Sequence, residues 1–276
     1  MSFINRKKTK NSFVYSNANT DDLQRIKKLG IPPQWERVSI SKDLKEKIQA
    51  TGYDSKNRKQ YIYHPAWILF SKQGKFCNID NFNHPKYTRV ISSFMKRKDL
   101  SKECVMSNML KIMEDLNIRV GNDVYLRENK SVGLSTLMKK HLTGNKLSFI
   151  GKKSIHHSKV IMDIGSMEFI KRVLRIPGKF LFYYRSNGVT KGITPADLNL
   201  FIKDHIQSGI TCKDIRTYSA NVLFLGFMRT KGIASTEQQK KANITLGLKY
   251  VAEKLGNTPK VCRDSYISPV NISKYS

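Results

Sequence analysis

Long apolar runs are what this chain most lacks. Nothing in its 276 residues approaches the roughly 18 consecutive apolar positions that a membrane-spanning helix needs. The opening Met1-Ser-Phe-Ile-Asn-Arg-Lys-Lys8 turns polar at once and holds no signal-peptide core. A soluble, intracellular protein without a membrane partner is expected. Cysteine is scarce too: Cys77, Cys104, Cys212 and Cys262 stand far apart, with no Cys-x-x-Cys pair and no metal-like grouping with histidine. That spacing argues against a disulfide framework or a zinc site and suits reduced thiols, mostly core fillers. There is no P-loop to cradle a triphosphate and no carboxylate cluster of the kind that holds Mg²⁺. No internal repeat or coiled-coil heptad stands out.

Acidic residues are the other shortage, 21 against 50 Lys and Arg, for a net charge of +29. An excess of that size repels itself in the compact state, so a polyanionic partner accounts for it best, nucleic acid ahead of an anionic membrane. The basic residues run along the whole chain, as on a surface that encloses a duplex, and form no single basic tail. The 39% apolar and 10% aromatic content is that of a folded protein long enough for one large or two modest domains.

Residues 1 to about 20, rich in Lys, Asn, Ser and Thr, read as a flexible tail. Asp21 to Leu29 reads as a short helix ended by Gly30 and Pro32-Pro33, and Val38-Ser-Ile40 as a strand. Asp54-Ser-Lys-Asn57 is a turn signal between two β-prone runs ending at Tyr63. On the second run Lys59, Tyr61 and Tyr63 share one face, Gln60 and Ile62 the other. A lysine interleaved with tyrosines suits a DNA surface, although an ordinary half-exposed strand is an even alternative. Residues 70 to 90 read as polar and irregular, so a domain boundary is placed there.

Beyond it the pattern is mostly helical. Val105, Met109, Ile112 and Leu116 form one helical stripe. Leu147 and Phe149 lead into a hairpin tipped by Gly151-Lys-Lys-Ser154. Thr194, Pro195 and Asp197 read as the N-cap, N1 and N3 positions of a helix that buries Leu198, Phe201, Ile202 and Ile206. Another helix starts near Lys213-Asp214. A third runs from about Ser235 to Leu255, stopped by Gly256.

Five positions could together perform phosphodiester chemistry. A tyrosine oxygen, Tyr266, can form a covalent phosphoester and divide one difficult step into two reversible ones. Arg119 and Arg216 can hold the non-bridging oxygens through bidentate contacts. Lys152, at the hairpin tip, can protonate a leaving oxygen, and Asn257 can add an amide donor. Singly, each reads more simply as a phosphate-positioning or core residue. Lys153 competes with Lys152 for the acid role, and His156 and His157 read as strand or backbone contacts.

The order of motifs resembles the small type IB DNA topoisomerases of poxviruses, large DNA viruses and bacteria. The resemblance covers Ile31-Pro-Pro-x-Trp35, Gly52-x-Asp-Ser-Lys-x-Arg-Lys-Gln-Tyr-x-Tyr63, Ile118-Arg-Val-Gly121 with Tyr125, and Glu128-Asn-x-Ser-Val-Gly-Leu-x-Thr-Leu137. It continues through Phe149-x-Gly-Lys152, Lys213-Asp-x-Arg-Thr-Tyr218 and Leu255-Gly-Asn-Thr-Pro-x-Val-Cys-Arg-x-Ser-Tyr266. It implies catalytic roles for Arg119, Lys152, Arg216, Asn257 and Tyr266. It also implies DNA contacts by Gln60, Tyr61, Tyr63, Tyr125, Lys153 and Lys213. By motif Lys152 is favoured as the acid, and the choice against Lys153 stays open.

The implied fold is α+β in two domains, a small β-rich N-terminal domain over 21–80 and a larger, mainly helical catalytic domain over 81–276. The catalytic domain would be of the tyrosine recombinase/type IB topoisomerase kind, and the two domains would form a clamp around duplex DNA. The implied protein is a monomer with double-stranded DNA as partner, no obligate protein partner, no cofactor and no metal. It would relax supercoils through a 3′-phosphotyrosyl link without ATP, in a virion or viral factory if virus-encoded and in cytoplasm or nucleoid if bacterial. Two departures matter. Asn257 stands where poxvirus members carry histidine, and Asn122 and Val124 where they carry basic residues, which weighs against a strict poxvirus-type cleavage site. The alternatives are a tyrosine recombinase, against which Lys213 in the usual histidine place counts, and a non-catalytic DNA-binding module.

Overall fold

An aspartate builds the hairpin whose second strand ends at Tyr63. Asp54 Oδ1 accepts from the backbone N–H groups of Lys56 and Arg58, both at 3.0 Å, and Oδ2 accepts from Arg58 Nε at 2.9 Å and Gln60 Nε2 at 3.0 Å. Such side-chain-to-backbone bonds close an Asx-type turn. The Arg58 side chain, then its backbone, hold the Asp54 carboxyl down to about 2.

In this computed structural model residues 3–10, 12–97 and 99–275 are described, apart from the side chains of Lys72, Gln73 and Lys75. Strands β1 (Phe3–Lys8) and β2 (Phe13–Ser16), helix α1 (Thr20–Leu29), and strands β3 (Glu36–Ser41), β4 (Ile48–Tyr53) and β5 (Lys59–Tyr63) make up the first unit. The strands form one antiparallel sheet in the order β2-β1-β3-β4-β5. Helix α1 packs Ile26 with Ile4, Val38, Ile40 and Ala50 in its core.

The expected flexible tail is therefore corrected: residues 3–8 and 13–16 are sheet strands, while Met1, Ser2 and Asn11 of that segment lie outside the described residues. Long-range pairing overrides the polar composition. Ile4 pairs with Ile40 and is fully buried, and Arg6 Nη2 donates to the Pro32 and Trp35 carbonyls at 3.1 and 2.6 Å.

Helix α2 (Pro65–Asp80) follows, and the chain divides into its two units within it, at Gly74/Lys75. The segment read as irregular is thus helical up to Asp80. After a short connection α3 (His84–Met95) begins, with Asn83 accepting from Lys86 N at 2.9 Å and Pro85 in the first turn. The Asn-and-Pro cluster around Asn83 and Pro85, which read as irregular, is thus a helix start.

The second unit continues with α4 (Lys102–Leu116), α5 (Asp123–Asn129), strands β6 (Leu142–Thr143), β7 (Lys146–Ile150) and β8 (His156–Val160), and α6 (Ile164–Val173). Next come the hairpin β9 (Tyr183–Ser186) and β10 (Val189–Gly192), then α7 (Pro195–Phe201), α8 (Cys212–Lys231), α9 (Glu237–Leu255), α10 (Pro259–Ser265) and α11 (Pro269–Ser273). The four stripe residues of α4 are all buried in the larger core, with Phe169, Leu198 and Phe201 from α6 and α7. A smaller core joins Phe224 and Met228 of α8 to Leu248, Val251 and Leu255 of α9 and Cys262 of α10.

Caps mark the helix starts. Thr194 and Asp197 bond each other's backbone N–H reciprocally, at 2.9 and 3.1 Å. Asp214 Oδ2 accepts from Thr211 N at 3.0 Å where α8 opens, with Lys213 between the two. The hairpin β9–β10 has no counterpart in the sequence reading, because Val189–Gly192 is exposed along its length and carries no apolar alternation. Among the described residues, no helix is long and apolar enough to cross a membrane. Cys104, Cys212 and Cys262 are buried and Cys77 is exposed.

Candidate active site

Arg119 owes its position to two glycines. It leaves α4 after Asn117, whose left-handed backbone (φ 53°) ends the helix. The following residues lie against the Val132–Ser135 segment: Leu134 N donates to Arg119 O at 2.8 Å and Ser135 N to Val120 O at 2.6 Å. Backbone lies on backbone there. A Cβ on Gly133 would fall 2.5 Å from Gly121 Cα and 2.7 Å from Arg119 O, so only glycine allows the approach. Val132 N in turn donates to Ile150 O at 2.8 Å, tying the segment to β7.

Lys152 and Lys153 sit at the β7–β8 tip, where Gly151 N donates to Ile155 O at 2.8 Å and closes the loop. Lys153 and Ser154 both take positive φ, 61° and 58°, and both lysine side chains are exposed.

Arg216 is different. It lies on α8 with only 4% of its surface exposed. Its Nη1 donates to Asn117 O at 2.5 Å and its Nη2 to Leu255 O at 2.6 Å. Those are the carbonyls at the C-terminal ends of α4 and α9, which lack partners within their helices and carry the negative end of each dipole. A buried cation is costly alone; two helix ends offset that cost and aim the fork. Burial first, and then the nearby Arg119 charge, lower Arg216 to about 10, which leaves it cationic at neutral pH.

Gly256 (φ 61°) ends α9, and Asn257 follows directly. Asn257 Oδ1 accepts from Arg119 Nη2 at 2.5 Å. Its Nδ2 is buried and lies near enough to Tyr266 to favour the anionic phenol. Thr258 caps α10, Pro259 takes its first turn, and Tyr266 is its C-terminal cap. The Arg216 guanidinium stands 5.6 Å from the centre of the Tyr266 ring. Burial alone would raise the Tyr266 phenol. The charges of Arg216 and Arg119 outweigh it, helped by hydrogen bonding from Asn257 and Arg216, and lower the pKa below the ordinary tyrosine value.

A cleft of about 290 Å³ opens over these groups, lined by Arg119, Lys152, Lys153, Lys213, Asn257 and Tyr266 among others. Arg216 lies beneath, against the tyrosine ring. Tyr125, on α5, is 51% exposed and is not part of this lining. Tyr61 and Tyr63 lie in the first unit, 43% and 37% exposed on one face of β5 with ring centres 6.0 Å apart. Gln60 is on the opposite face, held by Asp54. Among the described residues, no group of three or more His, Cys, Asp or Glu could hold a metal ion.

Asn221 escaped the sequence reading, and His157, read only as a strand or backbone contact, has a more definite place than its sequence shows. Asn221, buried on α8, donates from Nδ2 to Tyr266 O at 2.8 Å, and its Oδ1 accepts from Ser268 N and Asn271 Nδ2, both at 2.9 Å. It fastens the chain immediately after the tyrosine. His157 is buried between the hairpin tip and the end of α9. An asparagine amid a helix and one of two adjacent strand histidines carry no sequence signal for either role.

A cationic cleft over an acidified tyrosine, built on helices, defines a class that sequence comparison identifies. Residues 69–275 match the family described as eukaryotic DNA topoisomerase I, catalytic core, and residues 15–54 match the bacterial DNA topoisomerase IB N-terminal domain. The chain belongs to the type IB DNA topoisomerases and is an enzyme of that type. It is 32% identical over 295 aligned positions to DNA topoisomerase 1B of Acanthamoeba polyphaga mimivirus, covering 100% of this chain and 88% of that protein. With DNA topoisomerase 1B of Vaccinia virus (strain Copenhagen) it shares 31% identity over 235 positions, 79% of this chain and 69% of the relative. DNA topoisomerase 1 of Rabbit fibroma virus is 29% identical over the same extent of this chain.

Proposed function

We propose that this topoisomerase relaxes supercoiled DNA by transient cleavage of one strand, with Tyr266 as nucleophile. Tyr266 loses its proton to water, and Oη attacks a backbone phosphorus. The new P–O bond is a 3′-phosphotyrosyl link; the bond to the 5′-oxygen breaks, and that oxygen takes a proton from Lys152 and leaves as a hydroxyl. Rotation about the intact strand releases supercoiling. The 5′-hydroxyl then attacks the phosphotyrosine, returns its proton to Lys152 and expels Tyr266. Bond energy is conserved in the link, so the reading needs neither ATP nor a metal.

The observation that supports it most is the acidified Tyr266 phenol beside two arginines and below the Lys152 hairpin. Arg119 and Arg216 would carry the charge gathering on the non-bridging oxygens, aided by the Asn257 amide. Lys153 and Lys213, lining the same cleft, would hold neighbouring phosphates. Gln60, Tyr61 and Tyr63 of β5, with Tyr125, would contact the duplex as part of a clamp formed by the two domains. A monomer suffices for this cycle. The DNA-associated location that follows is a virion or viral factory, or a nucleoid if bacterial.

Relaxation of a supercoiled plasmid in EDTA without ATP tests the reading, with Tyr266→Phe alongside. Relaxation by the wild type and none by the variant is expected. Metal-dependent relaxation, or an active phenylalanine variant, would overturn it.

A further inference from the structure

His157 stands where the hairpin that bears Lys152 meets the turn that bears Asn257. It lies on β8 with 5% of its surface exposed, while its strand neighbours His156 and Ser158 are exposed. One face of the ring stacks on Phe149 across the hairpin, centres 5.0 Å apart and planes 17° from parallel. Its edges meet two glycines. A Cβ on Gly151 would fall 2.7 Å from both Cδ2 and Nε2 of the ring. A Cβ on Gly256 would fall 3.1 Å from Nδ1 and Nε2 and still nearer to Cε1.

These glycines are the residues immediately before Lys152 and Asn257. The imidazole therefore touches the backbone of the hairpin that bears the lysine and the backbone of the turn that bears the asparagine. It fills the gap between them. Burial, reinforced by the charges of Lys159, Arg119, Arg216 and His156, holds the ring neutral down to about 4. At neutral pH it is a flat, uncharged spacer and not a proton source.

We propose that His157 is a positioning residue that sets the Lys152 hairpin against the Gly256–Asn257 turn and so determines whether the lysine reaches the leaving oxygen. The proposal rests on the reading of Lys152 as the acid. Its physical basis is the steepness of proton transfer with geometry: a displacement of about 1 Å can cost about a hundredfold in rate. The hairpin is also tied by Val132 N to Ile150 O at 2.8 Å and by Lys159 Nζ to Lys254 O at 2.5 Å, but His157 is the side chain that lies directly against both Gly151 and Gly256.

The test compares single-turnover cleavage of two duplexes, one ordinary and one with sulfur in place of the bridging 5′-oxygen. A thiolate leaves without being protonated, so loss of the acid matters only for the oxygen duplex. His157→Ala is expected to slow cleavage of the oxygen duplex by about a hundredfold and that of the sulfur duplex far less, matching the selectivity of Lys152→Ala. Gly151→Ala keeps the histidine but drives a methyl into its ring. It should show the same selectivity, and His157→Ala added to it should recover part of the rate. Equal slowing of both duplexes by His157→Ala, or an unaffected Gly151→Ala, overturns the proposal while leaving Lys152 as the acid. If sulfur fails to rescue Lys152→Ala, the acid reading falls and the proposal with it. Should His157→Ala not fold, Gly151→Ala decides alone by its ratio of oxygen to sulfur rates.

Discussion

Arg119 Nη2 and Asn257 Oδ1 lie 2.5 Å apart, although 138 positions separate them in the chain. The bond fixes which way the amide points, because the alternative would set an NH₂ group against a guanidinium. With the carbonyl taken, only Nδ2 can serve a phosphate. Asn257 thus offers a neutral donor in a place where a histidine could carry charge. Asn257→Ala is expected to slow cleavage by about a hundredfold, the usual cost of losing one transition-state donor. Asn257→Asp should be worse, since its carboxylate keeps Arg119 but repels phosphate. Single-turnover cleavage of a short duplex measures both, and an undiminished alanine variant would remove Asn257 from the chemistry.

The depressed Tyr266 pKa carries a sign that can be checked. Burial works against ionisation, so the lowering depends on the Arg216 and Arg119 charges. Arg119→Ala should therefore move the phenol, and the alkaline rise in cleavage rate, to higher pH as well as lowering the plateau. Ultraviolet difference titration against Tyr266→Phe isolates this phenol from the other 11 of the 12 tyrosines. A shift to lower pH, or no shift, contradicts the electrostatic account.

His157 makes stability depend on pH. Its folded-state value is about 4 against an ordinary 6.5. Between those limits the unfolded chain binds a proton that the folded protein refuses, so stability rises with pH through the window and is lost as pH falls through it. After allowance for water in the neighbouring cleft the loss is about 2 kcal/mol. Urea denaturation at pH 7 and pH 4 should show it, and His157→Phe, which preserves the stack on Phe149, should flatten that part of the slope.

Asn221 acts on the backbone beyond the nucleophile. Removing it leaves Tyr266 O and Ser268 N without their side-chain partner, at a cost of about 1–3 kcal/mol for buried groups. Asn221→Ala should lower the melting temperature and also slow cleavage under conditions where the variant is fully folded. Asn221→Asp retains the acceptor for Ser268 and Asn271 but loses the donor to Tyr266, so it separates the two ends of the link. A folded alanine variant with wild-type cleavage would make Asn221 structural only.

Much of the architecture was legible in local chemistry. The Asp54 turn, the stripe on α4, the lysine-tipped hairpin, the Thr194-Pro195-Asp197 start and the Gly256 stop are short-range devices whose causes lie within a few residues. Strand β1 was not legible, because its stability comes from pairing with the distant β3, and the edge strand β2 in turn depends on β1. Helix α2 was missed because Gly74 and its polar neighbours suggest a loop, and the β9–β10 hairpin because its second strand is exposed along its length and carries no apolar alternation.

The candidate site divides in the same way. By itself the sequence determined which groups are available: two arginines, a lysine-tipped hairpin, an asparagine after a helix stop and a tyrosine nine residues on, in an order shared with the type IB family. Only the tertiary structure decided that Arg216 is buried on two helix ends, that Arg119 takes the Asn257 carbonyl, and that two arginine charges outweigh burial at Tyr266. It alone seated His157 between Gly151 and Gly256. The reason is physical. Residue type and spacing determine what a segment can do locally, whereas burial, field and contact depend on segments 39 to 138 positions apart meeting in space.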